Sequence, residues 1–150
     1  MTMQPLINGL LDIVENEFQD EEKTQVRFYV DDGNLIGPHR VLVRLVQYIQ
    51  AEGKKYGFKI KLSKGKFLIG KRETVEEAQR DREEIISLGL SPNVVLVHPS
   101  NDNSGISEEE AKGNYGAKIL GSFVGDHLYI KKMVSFYFFW GKCVHCGVTR

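Results

Sequence analysis

The sequence predicts an α+β fold: an antiparallel sheet with helices packed on one face. Three observations carry that expectation. Apolar residues recur at helical spacing over 5–18, again after Pro38, and again after Thr74. Between these stretches lie short runs that alternate or stay apolar, bounded by Gly, Pro, Asp and Asn. The chain has 150 residues, 41% hydrophobic and 27% charged, which is the composition of one globular domain with a core.

The first helix presents Leu6, Ile7, Leu10, Leu11, Val14 and Phe18 on one side and ends in a solvated acidic segment, Glu15 and Glu17 to Glu22. Val26, Phe28 and Val30 then alternate with Arg27 and Tyr29, the period of a strand. Asp31-Asp32-Gly33-Asn34 is turn chemistry: Asp and Asn tolerate unusual backbone angles, and Gly takes positive φ cheaply. Leu35 and Ile36 resume the apolar run before Gly37-Pro38 stops it. The stretch reads as a β-hairpin with two carboxylates at its tip.

Pro38 can open the next helix, whose apolar face is Val41, Leu42, Leu45, Val46, Tyr48 and Ile49, with Arg40, Arg44 and Gln47 opposite. Gly53 and Gly57 end it, and His39 is a polar residue of its first turn. Phe58, Ile60 and Leu62 alternate with Lys59 and Lys61, which predicts a half-buried strand with a basic outer face. Ser63 to Lys66 turns the chain into a second strand, Phe67 to Gly70. Thr74-Val-Glu-Glu77 and Ser107-Glu-Glu-Glu110 are capping boxes that open two more helices. Val94 to Val97 reads as a buried strand, Asn101 to Gly105 as a loop, and His98 as structural. Glycines 116, 121 and 125 have neither dinucleotide-binding nor phosphate-loop spacing.

Net charge is zero but unevenly spread: −5 over 1–25, +8 over 26–72 and −3 over 73–150. The acidic hairpin tip therefore sits in a basic block, which suits a polyanion held near a metal site; solvation of a helix and an edge strand is the alternative. Two adjacent carboxylates repel unless water or a cation neutralises them. Hard oxygen ligands suit Mg²⁺ or Mn²⁺, and a bare Asp-Asp-Gly also serves as an ordinary solvated turn. Cys143 and Cys146, with His145 between them, are half a zinc site at most and no disulfide scaffold. The longest apolar stretch, Met133 to Trp140, is too short to span a bilayer, and no signal peptide opens the chain. An intracellular protein of cytoplasm or nucleus is expected.

Tyr29-Val30-Asp31-Asp32-Gly33-Asn34-Leu35-Ile36-Gly37 resembles the Tyr-x-Asp-Asp hairpin of reverse transcriptases, in the version carried by mobile elements. Gly57, Phe58, Ile60 and Lys64 are similar in position and type to the Gly-Leu-x-Leu-Asn-x-x-Lys segment that follows it, with Lys61 standing where the family has Asn. Leu120-Gly121 and Gly125 resemble the family's Leu-Gly strand pair near the primer end, and Gln4-Pro5 keeps part of its Gln-Gly-x-Pro loop. The resemblance implies a partial polymerase palm and following strand region over 1–132, with 133–150 as an unmatched tail.

What the resemblance implies about function is template-directed nucleotidyl transfer onto a primer 3′-OH, using two Mg²⁺ or Mn²⁺ ions in the complete enzyme. Asp31 and Asp32 would be metal ligands and Lys64 would stabilise the leaving pyrophosphate. Tyr29 and Val30 would lie beside the primer end, and Lys59, Lys61, Lys66, Leu120 and Gly121 would contact nucleic acid. The expected partners are a primer–template of RNA or DNA, a dNTP, and the N-terminal half of the domain. The family needs a further metal-binding Asp upstream, and Asp12 on the first helix is a poor substitute, so the chain alone is expected not to polymerise. The alternative is a non-catalytic nucleic-acid-binding remnant.

Overall fold

The computed structural model describes residues 3–19, 24–29, 32–59, 61–119 and 122–135, without the side chains of Tyr29, Asp32 and Ser63. The fold is α+β. In chain order it contains α1 (Gln4–Glu17), β1 (Gln25–Tyr29), β2 (Asp32–Ile36), α2 (His39–Glu52), β3 (Phe67–Ile69), α3 (Val75–Ser87), β4 (Val95–Val97), α4 (Glu108–Asn114), β5 (Gly116–Ile119) and β6 (Ser122–Gly125). A fifth helix, α5, covers 127–135. The described strands form three two-stranded sheets: β1–β2 and β5–β6 are antiparallel, β3–β4 is parallel. No helix among the described residues is long and apolar enough to cross a membrane.

The chain divides into two compact units, the first built from Met1–Gly65 and Glu83–Val94, the second from Lys66–Arg82 and Val95–Arg150. In the first, α1 and α2 meet, with Ile13 buried though outside the face expected of α1, and Leu11 exposed though within it. Leu10, Ile13, Val41, Leu45 and Ile49 form the buried cluster, with Val26, Phe28, Leu35 and Phe58 packed against it. Each fully buried leucine or isoleucine contributes about 1.5–3 kcal/mol by leaving water. Outside this core, Arg44 of α2 forks onto the Glu17 carboxylate with Nε and Nη2 each 2.9 Å from an oxygen. Glu17 is therefore paired, where the sequence reads it as solvated. Arg40 lies 5.5 Å over the Phe18 ring. These contacts are exposed and are worth at most about 1 kcal/mol each.

α2 ends at Gly53 and Gly57 as expected, but the segment after it departs from expectation. The helix tightens into a 3₁₀ turn over Gly53–Tyr56, and Gly57 takes the left-handed conformation at φ 72°. The Gly57 N–H donates to Lys54 O at 3.2 Å and the Phe58 N–H to Gly53 O at 2.9 Å. This is a Schellman cap, and it satisfies carbonyls the helix would otherwise leave bare. It also draws Phe58 back toward the helix. Phe58, Lys59 and Lys61 carry no strand pairing, and Leu62–Lys64 is a 3₁₀ turn. The predicted strand over 58–62 is therefore not formed in the described residues. Its alternation has another cause, since Phe58 and Leu62 wall the same cleft.

β3 forms as predicted but pairs with β4, in parallel register from Phe67↔Val95 to Ile69↔Val97, through a crossover that contains α3. Both capping serines and threonines act as predicted: Thr74 Oγ1 accepts from Glu77 N–H at 3.1 Å and Ser107 Oγ from Glu110 N–H at 3.2 Å. Asn101, read from sequence as loop, is buried. Its side chain accepts from Arg72 N–H at 2.8 Å and donates to Arg72 O at 3.1 Å, while Arg72 Nε reaches Asp81 at 2.6 Å. Tyr115 donates its hydroxyl proton to Ile69 O at 2.9 Å, and burial pushes its pKa up, so that proton is retained across neutral pH. Gly116 and Gly125 face each other in the β5–β6 ladder, and a Cβ on Gly116 would lie 2.0 Å from the Tyr129 ring. These glycines serve packing.

Truncating Leu45, fully buried in the α1–α2 core, is expected to be the most damaging alanine change on α2. Leu45→Ala should cost about 2–5 kcal/mol of unfolding free energy in a urea titration, whereas the exposed Gln47→Ala should cost under about 0.5.

Candidate functional site

The hairpin carrying the acidic motif is formed, and its second strand begins earlier than the residue types indicate. The ladder runs from Gln25↔Ile36 to Tyr29↔Asp32. Asp32, Gly33 and Asn34 thus belong to β2, where their residue types indicate a turn. Gly33 is not at positive φ. It is a strand glycine required for space: a Cβ there would lie 2.3 Å from Phe28 Cε1, because the Phe28 ring lies across it. An aromatic covering a cross-strand glycine restores apolar contact that the missing side chain would forfeit. Val30 and Asp31 fall outside the described residues, as do the side chains of Tyr29 and Asp32.

The lysine-bearing segment docks beside this hairpin. The Phe58 ring meets the Phe28 ring edge-on, with centroids 6.3 Å apart and planes at 88°, a favoured aromatic geometry. Lys59, Lys61 and Lys64 follow, all exposed. Among the described residues none of the three has a carboxylate partner. By contrast, Lys55 is held by Glu52 through two contacts of 2.9 and 2.7 Å. Three unpaired cations on one turn segment form a surface that an anion can neutralise.

The other predicted site residues are distributed differently. Lys66 belongs to the second unit, where its ammonium donates to Gly116 O at 3.1 Å and lies 5.5 Å over the Tyr129 ring. It is engaged with its own fold. Leu120 and Gly121 fall outside the described residues, between β5 and β6, and so do Cys143, His145 and Cys146. The strand pair expected around the Leu-Gly run is present as β5–β6, with Gly116↔Gly125 at one end and Ile119↔Ser122 at the other. Asp12 is exposed on α1, as expected.

One contact in this unit escaped the sequence. His39 Nε2 lies 2.7 Å from Glu84 Oε2. The 45 positions between the two give the sequence no local signal of it. His98 is structural as expected: its Nδ1 accepts from Ser100 N–H at 3.2 Å and its ring stands edge-on to Tyr115 at 5.3 Å.

No family model, no curated protein and no solved structure matches the chain. The site is therefore read from its own chemistry: an antiparallel hairpin that presents an Asp-Asp pair in its sequence, backed by aromatics and flanked by free lysines.

Gly33→Ala should push the Phe28 ring out of its seat. The expected result is a loss of about 1–3 kcal/mol in denaturant, with the Phe28 ring resonances displaced in an aromatic NMR spectrum. An unchanged Phe28 environment would show that the ring does not depend on the glycine.

Proposed function

We propose that the chain carries the hairpin-bearing part of a reverse-transcriptase palm. The observation that supports this reading best is the placement of the basic segment. Phe58 packs on Phe28, one residue before Tyr29, so Lys59, Lys61 and Lys64 follow directly from a residue seated on the acidic hairpin. A polyanion held by those lysines would lie on the segment that packs against the strand preceding the Asp31-Asp32 pair in sequence.

The donor set fits a hard divalent cation. Asp31 and Asp32 would hold Mg²⁺ or Mn²⁺ through carboxylate oxygens, and such ions supply charge neutralisation and nucleophile activation in phosphoryl transfer. The chain's own residues have simpler tasks. Lys59 and Lys61 neutralise phosphates of a primer–template. Lys64 places a cation where a dNTP's pyrophosphate would leave. Among the described residues no strand other than β2 carries a carboxylate. A third metal ligand on a neighbouring strand would have to come from a further segment, and on this reading the chain acts with that segment and not alone.

The same absence favours a second reading, a non-catalytic nucleic-acid-binding remnant. The two readings differ in their response to metal. On the first, Mn²⁺ broadens hairpin resonances in an NMR titration, Asp31→Asn and Asp32→Asn abolish the effect, and duplex binding tightens with Mg²⁺. On the second, binding ignores Mg²⁺ and falls only with salt, with a log–log slope of roughly −2.7 for three phosphate contacts at about −0.9 each. Primer extension is expected to be absent for the isolated chain. Extension that disappears in Asp31→Asn would overturn that expectation.

A further inference from the structure

Beside the free lysines lies an open cleft of about 240 Å³, lined by Ile49, Gln50, Lys54, Phe58, Lys59 and Leu62. We infer that this cleft takes one base of a single-stranded nucleic acid, with the flanking phosphates on Lys54 and Lys59. The inference requires neither the Asp pair nor a metal.

The floor is apolar and fixed. Ile49 is buried in the α1–α2 core. Phe58 is held from behind by its N–H bond to Gly53 O at 2.9 Å and by the edge contact with Phe28. The wall therefore exists before any ligand arrives, which lowers the ordering cost of binding. Gln50 is the neutral polar group, its amide N–H bonded to Leu88 O at 2.7 Å. Pockets that enclose a whole small molecule run to about 300–1,000 Å³. This cleft is smaller and open, so it suits a flat ring and not a complete nucleotide or cofactor.

The rim supplies the charge. Lys54 and Lys59 are exposed and have no ion-pair partner among the described residues. The nearest helix-end carboxylate, Glu52, is taken by Lys55. Lys61 and Lys64 extend the unpaired positive charge along the chain. An apolar aromatic floor between cations is the arrangement that grips a strand whose bases are free to stack. A duplex would use the lysines alone, since its bases are not available to the floor.

The test is fluorescence anisotropy of the full chain in EDTA, with a labelled oligo-dT strand and a duplex of the same length. The expected result is tighter binding of the single strand. Lys54→Gln with Lys59→Gln should lower the salt slope by about 1.4, at about 0.7 per phosphate for single strands. Phe58→Leu should weaken the single strand by about 5- to 150-fold, the range of one lost base stack. It should leave duplex binding unchanged, and circular dichroism checks that it folds. Lys71→Gln, outside the cleft, should change nothing. Equal affinity for both probes, or displacement of oligo-dT by oligo-glutamate at equal charge concentration, would overturn the inference. If Phe58→Leu does not fold, the lysine pair decides alone, and an unchanged salt slope overturns it. Because EDTA is present, failure here leaves the metal reading of Asp31 and Asp32 standing, and failure of that reading leaves this one standing.

Discussion

The position of the Phe28 side chain is the constraint on which the first unit depends. Its ring covers Gly33 on the paired strand, meets Phe58 edge-on, and packs on the core made by α1 and α2. One aromatic thus joins the hairpin to its helical support and to the segment that follows α2. A hairpin of two strands is marginal in water without such backing. The hairpin that carries the acidic motif is held by apolar contacts of Phe28.

The second unit is organised by backbone groups caught by side chains. Asn101 mimics a strand for Arg72, accepting from its N–H and donating to its carbonyl. Tyr115 and Lys66 close on the carbonyls of Ile69 and Gly116. These bonds gain roughly 1 kcal/mol each in net terms, but leaving such a carbonyl buried and bare costs more. They hold short strands that have one neighbour apiece among the described residues.

Most helices were legible: α1 and α2 repeat apolar residues over three turns or more, and Thr74 and Ser107 cap α3 and α4 with side-chain oxygens. The hairpin was legible too, through its alternation and its acidic turn. Where its second strand begins was not, because Asp32, Gly33 and Asn34 carry turn chemistry yet pair in the ladder, with the Phe28 ring over the empty side of Gly33. The basic strand was misread for a related reason. Phe58, Ile60 and Leu62 alternate with Lys59 and Lys61 like a pleat, yet Gly57 takes the left-handed conformation, and Phe58 and Leu62 line a cleft. Lys66 was grouped with Lys59 by sequence proximity, and the fold assigns it a carbonyl and a ring of its own unit. Asn101 and the His39–Glu84 contact depend on partners 27 to 45 positions away, beyond any local pattern.

The parallel pairing of β3 with β4 bears on the order in which the chain can assemble. β1–β2 and β5–β6 join neighbours in sequence, and local hairpins close within about 1–10 μs. β3 and β4 touch only after the whole of 70–94, α3 included, has been brought round. Closing that loop costs entropy before the three paired residues return any. The two hairpins can therefore be present while β3 still has a bare edge. For that interval Phe67-Leu68-Ile69 is an apolar strand without a partner, and the return of Val95–Val97 alongside it is what ends it.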